Sequence, residues 1–268
     1  MCRRGTVRTL ITAAMVPCWP HGAWAATWNL ANGMVALPPD SFTCGAERIS
    51  SPELAGSGGS GAVFAARRAG SLARVALKVS WAGPAAVGVR HEAEIYHRLG
   101  HAGVPYVPRL LAACEYATLG SAQRTDGRLP DLQDRVVLVL DPFVEAAVSS
   151  FEGLDARAAD RAAAQLGAAL AAVLAAGVAS TDVQVLIDPS SGDLRLVDLS
   201  EAILLATPLS FLQLATARGF CAEAAAIVPA EQREAFTAAV RRELMLRRGG
   251  AMDVELAEAV VEVLDLSG

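Results

Sequence analysis

Four glycines fall within six residues, at Gly56, Gly58, Gly59 and Gly61, and two β-prone runs follow them, Ala62–Ala66 and Arg74–Ser80. The turn-like Arg68-Ala69-Gly70-Ser71 separates the two runs. No other stretch constrains the fold as much. Gly is needed where backbone N–H groups must approach a phosphate with no Cβ in the way. A dinucleotide site would need a strand before the glycines and a helix after them. Here a strand follows, so the expected element is a glycine-rich strand–turn–strand closing over a nucleotide. A Gly/Ser-rich linker has a similar composition, and the residues downstream separate the two readings.

The decisive residue downstream is Lys78. Of the 23 basic residues, 22 are Arg and Lys78 is the single Lys. Asn is nearly absent too, occurring only at Asn29 and Asn32. A background bias has removed both residue types. The surviving Lys either falls where it does by chance, since one Lys must sit somewhere, or marks a site needing a compact ammonium rather than a forked guanidinium, and its neighbours separate the two. Lys78 lies 17 residues after Gly61, in Val75-Ala76-Leu77-Lys78.

The remaining composition sets bounds. A chain of 268 residues holds one large domain or two small lobes. Its 53% hydrophobic content argues against disorder. A net charge of −5 and a pI near 5.4 give no reason to expect nucleic-acid binding. Five Cys without a Cys-x-x-Cys exclude a disulfide scaffold and a common zinc site. Cys44, Cys114 and Cys221 are expected to be packed small hydrophobes. No uncharged apolar run reaches membrane-span length, and oligomeric state is not legible.

Residues 1–39 contain no acid, carry Arg3, Arg4 and Arg8, and include an apolar segment and Ala23-Trp24-Ala25. This composition suits a targeting presequence or a disordered extension. The expected location is intracellular, cytoplasmic or organellar.

Periodicity predicts a helix over Val89–Leu99, halted by Pro105 and Pro108. Strands are expected at Leu110–Tyr116 and Arg135–Leu140, with a surface loop from Gly120 to Asp134 between them. A long helix follows over Asp155–Ala176, with Asp155 as N-cap. Val183–Ile187 and Leu194–Val197 read as a hairpin, and the chain is expected to be helical from Ala202 onward. The order is α+β in two lobes.

Gly56-Ser57-Gly58-Gly59-Ser60-Gly61-Ala62-Val63 matches G-x-G-x-x-G-x-V, and Val75-Ala76-Leu77-Lys78 resembles the Val-Ala-Ile-Lys strand of protein kinases. The chain resembles that superfamily over roughly residues 48–205. The resemblance implies a two-lobed protein-kinase-like fold: a small β-rich lobe with one key helix over residues 40–143, and a reduced, mainly helical lobe over 144–268. It also implies ATP and Mg²⁺ as cofactors. Gly56, Ser57, Gly58, Gly61 and Val63 would cover the nucleotide, and Ala76, Lys78 and Leu186 would line its pocket. Lys78 would grip phosphate while held by a helix Glu, with Glu92 first and Glu94 second. Val137-Leu138-Val139-Leu140-Asp141-Pro142-Phe143 resembles the strand entering the adenine linker, so the Asp141 carbonyl and the Phe143 N–H would bind adenine and Leu140 would be the gatekeeper.

Val197-Asp198-Leu199-Ser200 resembles Asp-Phe-Gly, which makes Asp198 a Mg²⁺ ligand. Ser180-Thr181-Asp182 stands where His-Arg-Asp is expected, so Asp182 would be the base and Gln184 would replace the usual Asn as second metal ligand. The implied activity is γ-phosphoryl transfer to a hydroxyl acceptor on protein Ser/Thr or a small molecule. The altered catalytic loop and the missing Ala-Pro-Glu keep a pseudokinase open as the alternative. His97 and His101 could share a metal, but no third ligand follows at useful spacing.

Overall fold

The computed structural model describes residues 29–30, 33–34, 38, 40–71, 73–116, 135–247 and 254–266. Most of the acid-free segment, including Ala23-Trp24-Ala25, and the Gly120–Asp134 stretch lie outside them. The chain divides into two compact units, Met1–Val35 and Ala36–Gly268. In the first, β1 (Asn29–Leu30) pairs antiparallel with β2 (Gly33–Met34).

The second unit is mixed α+β. Its main sheet contains β3 (Ser41–Cys44), β4 (Glu47–Ser57), β5 (Gly61–Arg68), β6 (Arg74–Ser80), β7 (Arg109–Glu115) and β8 (Val136–Asp141). All pairs are antiparallel, in the order β3-β4-β5-β6-β8-β7. The alternation along β5 and β6 sends Phe64, Leu77 and Val79 to one face and Val63, Ala76 and Lys78 to the other. The sheet curls until its two outermost strands meet. Cys44 of β3 and Cys114 of β7 form a disulfide with a Cα–Cα distance of 5.6 Å. These two cysteines are therefore not simply packed hydrophobes as expected, whereas Cys221 is free and buried. The expectation failed because the pairing joins residues 70 positions apart, brought together only by the curl.

The helix α1 (Pro84–His101) begins five residues earlier than the periodicity predicts, with Pro84 at its first turn, where a missing N–H costs nothing. It packs on β7 more than on any other strand. Its inward stripe of Ala86, Val89, Ile95, Tyr96 and Leu99 joins the main core. That core continues through Leu138 and Leu140 of the sheet into the helices beyond.

The next helix, α2 (Ala156–Ala175), is capped as expected, Asp155 accepting from the Ala158 N–H at 2.8 Å. Among the described residues it is the one single helix long and apolar enough to cross a membrane, and most of it is buried. A helix apolar on nearly every side suits the centre of a core. Gly167 lets the next-but-one helix reach the α2 backbone, since a Cβ there would lie 2.4 Å from the Phe236 carbonyl.

After α2, β9 (Val178–Ala179) leads into the hairpin of β10 (Gln184–Ile187) and β11 (Leu194–Val197). The chain beyond Ala202 is not helical at once, as the composition suggests. First β12 (Ile203–Leu204) pairs back with β9. Then come α3 (Phe211–Ile227), a single 3-10 turn, α4 (Arg233–Arg247) and α5 (Val254–Leu266). Ser210 and Gln213 form a capping box that starts α3 after this interruption.

Candidate functional site: a lysine between two carboxylates

Lys78 sits in the middle of β6, opposite Val63 of β5 and Leu138 of β8. Only 7% of it is exposed. A cation so buried needs partners, and it has two. Its Nζ lies 2.7 Å from Glu92 Oε2 and donates at 2.7 Å to Asp198 Oδ1. The three residues come from β6, from α1 and from the segment after β11. The structure thus places Glu92, not the exposed Glu94, against Lys78.

Glu92 is completely buried. Burial raises its carboxyl above the ordinary value, while the nearby Lys78 charge pulls against that rise. For Asp198 the balance tips the other way. Burial alone would raise it, but the Lys78 charge and the hydrogen bonds from Lys78 and Ser200 hold its carboxyl below the ordinary range. Ser200 Oγ donates to Asp198 Oδ1 at 2.9 Å. Asp198 also has φ +54°, a left-handed conformation that non-glycine residues hold only when surroundings impose it. Tyr96, one turn beyond Glu92, is fully buried; burial first, then the charges of Glu92 and Asp198, push its hydroxyl well above the usual range.

The hairpin register brings Asp182 and Asp198 to the same end. Gln184 is paired with Val197, so Asp182 precedes and Asp198 follows the open end of β10–β11. Buried Gln165 on α2 fixes this hairpin by accepting from the Leu194 N–H at 2.7 Å and donating to Asp193 at 3.2 Å. His91 of α1 donates to the Ala202 carbonyl at 2.7 Å and ties the helix of Glu92 to the segment of Asp198.

The glycine turn joins β4 to β5. The Gly58 N–H donates to the Gly61 carbonyl at 2.8 Å. Packing demands glycine at Gly61 alone, where a Cβ would lie 2.2 Å from the Val79 carbonyl. At Gly56, Gly58 and Gly59 a Cβ would meet no protein atom within 4 Å. Trp81 closes the turn, its indole N–H donating to the Gly58 carbonyl at 2.9 Å and its backbone N–H to the Ser60 carbonyl at 3.0 Å. The sequence reading missed Trp81, Ser200 and His91 as site residues. Trp81 lies three positions after Lys78, directly beyond the end of β6, and that proximity was the one readable signal.

Val63, Ala76, Lys78 and Leu140 share one face of the sheet, since Ala76 is paired with Leu140. Leu186 lies half-buried on β10. The linker departs from expectation. The Phe143 N–H donates to the Arg74 carbonyl at 3.1 Å, so it is not the open adenine donor that the resemblance implies. The Arg74 guanidinium also stacks over the Phe143 ring at 5.3 Å. The Asp141 side chain pairs with Arg109 at 3.3 Å.

For a metal, Asp198 offers a partly exposed carboxylate and Gln184 an amide at the same hairpin end. Gln184 Nε2 donates to Asp182 Oδ2 at 2.5 Å. An oxygen donor set of one carboxylate and one amide suits Mg²⁺, which keeps several waters and takes ligand phosphates to complete its shell. Among the described residues, no three His, Cys, Asp or Glu side chains converge on one metal position. His97 and His101 face one another with Nε2 atoms 3.2 Å apart, exposed on α1. Compared with known proteins, the chain matches no family model and no curated sequence.

Proposed function

We propose that this chain is an ATP-dependent phosphotransferase of the protein kinase type, acting on a hydroxyl acceptor. The β3–β8 sheet with α1 would form the smaller lobe, and α2–α5 with the β10–β11 hairpin a reduced second lobe. The observation that carries the reading is Lys78, within 2.7 Å of both Glu92 and Asp198. One ammonium faces two carboxylates, so the cluster carries a net negative charge that a cation would neutralise. The glycines at 56, 58 and 59 leave the turn bare where packing does not require it.

Each residue then has a role. Lys78, held by Glu92, orients phosphate oxygens. The turn of Gly56, Ser57, Gly58 and Gly61 closes over them with no side chain in the way at its glycines, and Val63, Ala76 and Leu186 flank the base. Asp198 and Gln184 would hold Mg²⁺, which when bound supplies charge stabilisation to the transferring phosphoryl group. Asp182 accepts the proton of the acceptor hydroxyl. Catalysis in this class is positioning plus electrostatics, so each misplaced part lowers the rate steeply.

A pseudokinase is the second reading. It is favoured by the Gln184 amide already engaging the Asp182 carboxylate and by Ser180-Thr181 in the catalytic loop. Thermal melts with and without ATP–Mg²⁺, followed by a phosphate-transfer assay, separate the readings. A ligand present at 100 times its Kd stabilises by about 2.7 kcal/mol. Stabilisation with transfer supports the enzyme, and stabilisation without transfer supports the pseudokinase. No stabilisation at millimolar ATP–Mg²⁺ overturns both nucleotide readings.

A further inference from the structure

We propose that the Cys44–Cys114 disulfide is a redox clamp on the helix that carries Glu92; its bearing on catalysis rests on the function proposed above, but the clamp itself does not. The bond joins the two outermost strands of the curled sheet, β3 and β7. An outermost strand is held by hydrogen bonds on one side only, so β7 depends on β8 and on whatever closes its open side. The disulfide supplies that closure.

What β7 holds in turn is α1. The residue after Cys114 is Glu115, which receives both arms of the Arg90 guanidinium, Nε and Nη2 each at 3.0 Å. A two-point Arg–carboxylate contact fixes direction as well as distance. Arg90 lies two residues before Glu92, whose carboxylate meets Lys78 at 2.7 Å. The covalent closure, the strand, the guanidinium fork and the Lys78–Glu92 pair thus form one continuous connection. Freed from Cys44, β7 keeps only β8 as a covalently unassisted partner, and the platform under α1 loosens.

The chemistry is an ordinary exchange. Cys44 is fully buried and Cys114 is partly exposed, so a dithiol reductant reaches the Cys114 sulfur first. Its thiolate forms a mixed disulfide with Cys114 and releases Cys44 as a thiolate, which takes a proton. The reductant's second thiol then closes its own disulfide and releases Cys114. Two electrons and two protons pass from the reductant to the protein. The clamp is closed in an oxidising compartment and opens in a reducing one.

The test compares the full chain oxidised and after treatment with a dithiol, using peptide mass mapping of Cys44 and Cys114, melting, and amide hydrogen exchange. We expect the two cysteines to be bridged in the oxidised protein and the melting temperature to fall on the order of 10 °C on reduction. Exchange in β7 and α1 should quicken at least about tenfold more than in α2, which is anchored by the core and by its Gln165 bonds to the β10–β11 hairpin. Arg90→Gln in the oxidised protein should quicken exchange in α1 while leaving the disulfide intact. Cys44→Ser/Cys114→Ser reproduces the open form without reductant, and dithiol treatment of the natural chain serves if that variant does not fold. Free thiols at both positions in the oxidised protein would overturn the proposal. So would α1 exchange that rises no more than that of α2, or an Arg90→Gln α1 as protected as the natural one. ATP binding is scored separately: its absence in both redox forms would remove the nucleotide reading, while the exchange result would still decide the clamp.

Discussion

Replacing Lys78 with Met tests the site without presupposing any reaction. Met fills a similar volume and carries no charge. Lys78 is 7% exposed and Glu92 is fully buried, so the variant strands an anion in the core. Breaking a buried ion pair from one side costs about 3–5 kcal/mol. For a folded unit of this size that is a fall in melting temperature on the order of 6–20 °C at pH 8. Burial already raises the Glu92 carboxyl against the pull of Lys78. Without Lys78 it rises further, and Glu92 escapes its isolation by taking up a proton. A carboxyl whose folded pKa exceeds its unfolded one binds the proton more tightly in the native state. The variant's stability is therefore greatest below the unfolded value and is lost as pH rises through the folded one. The deficit relative to the natural chain should narrow from pH 8 to pH 5, by up to roughly 1.4 kcal/mol per pH unit. In the natural chain burial alone would raise the Asp198 carboxyl, but Lys78 and Ser200 hold it below the ordinary value. The variant removes the Lys78 part of that hold, so any rise of Asp198 narrows the deficit at low pH in the same direction as Glu92. Lys78→Met/Glu92→Gln should recover much of the loss, a strong departure from additivity. Urea unfolding followed by far-ultraviolet circular dichroism at pH 5, 6.5 and 8 measures all of this. A deficit equal at pH 5 and pH 8, or a double variant no more stable than the single one, would refute the reasoning.

Further outcomes concern the glycine turn and the buried Cys221. Gly61→Ala should lower the melting temperature of the ligand-free protein, because its Cβ would lie 2.2 Å from the Val79 carbonyl. Gly58→Ala meets nothing, so it should leave that temperature unchanged and weaken only ATP-induced stabilisation; the reverse pattern would contradict the assignment. Trp81→Phe removes the donor to the Gly58 carbonyl, a hydrogen bond worth about 0.5–1.5 kcal/mol, so the apparent Kd for ATP should rise roughly two- to tenfold in a thermal titration. An unchanged Kd would mean that the indole does not shape the turn. Burial pushes the Cys221 thiol up to about 12, so its peptide should stay unlabelled by iodoacetamide in native protein at pH 8 and become labelled in urea. As a group raised on folding, it contributes stability below pH 9 that is lost as pH climbs from 9 toward 12.

What was legible in the sequence alone was local. The strand–turn–strand over residues 56–80 follows from glycine placement and alternation, and α2 follows from its apolar run and the Asp155 cap. The hairpin of β10 and β11 follows from the turn at Pro189–Gly192. The isolation of Lys78 among 22 Arg pointed to the residue around which the candidate site is built. The tertiary structure decided what depends on distant encounters. Ile203–Leu204 is too short to carry a period, and it is a strand because β9 is there to pair with it. The Phe143 N–H looked open until the Arg74 carbonyl arrived from another strand. Cys44 and Cys114 carry no mark of their bond, because strand sequence specifies which side chains face inward but not which strands become the outermost pair. Only the curl of the whole sheet brings their Cα atoms to 5.6 Å. Side-chain periodicity is a property of neighbours along the chain, whereas sheet closure and ion pairing are set by elements that meet only after the chain has folded.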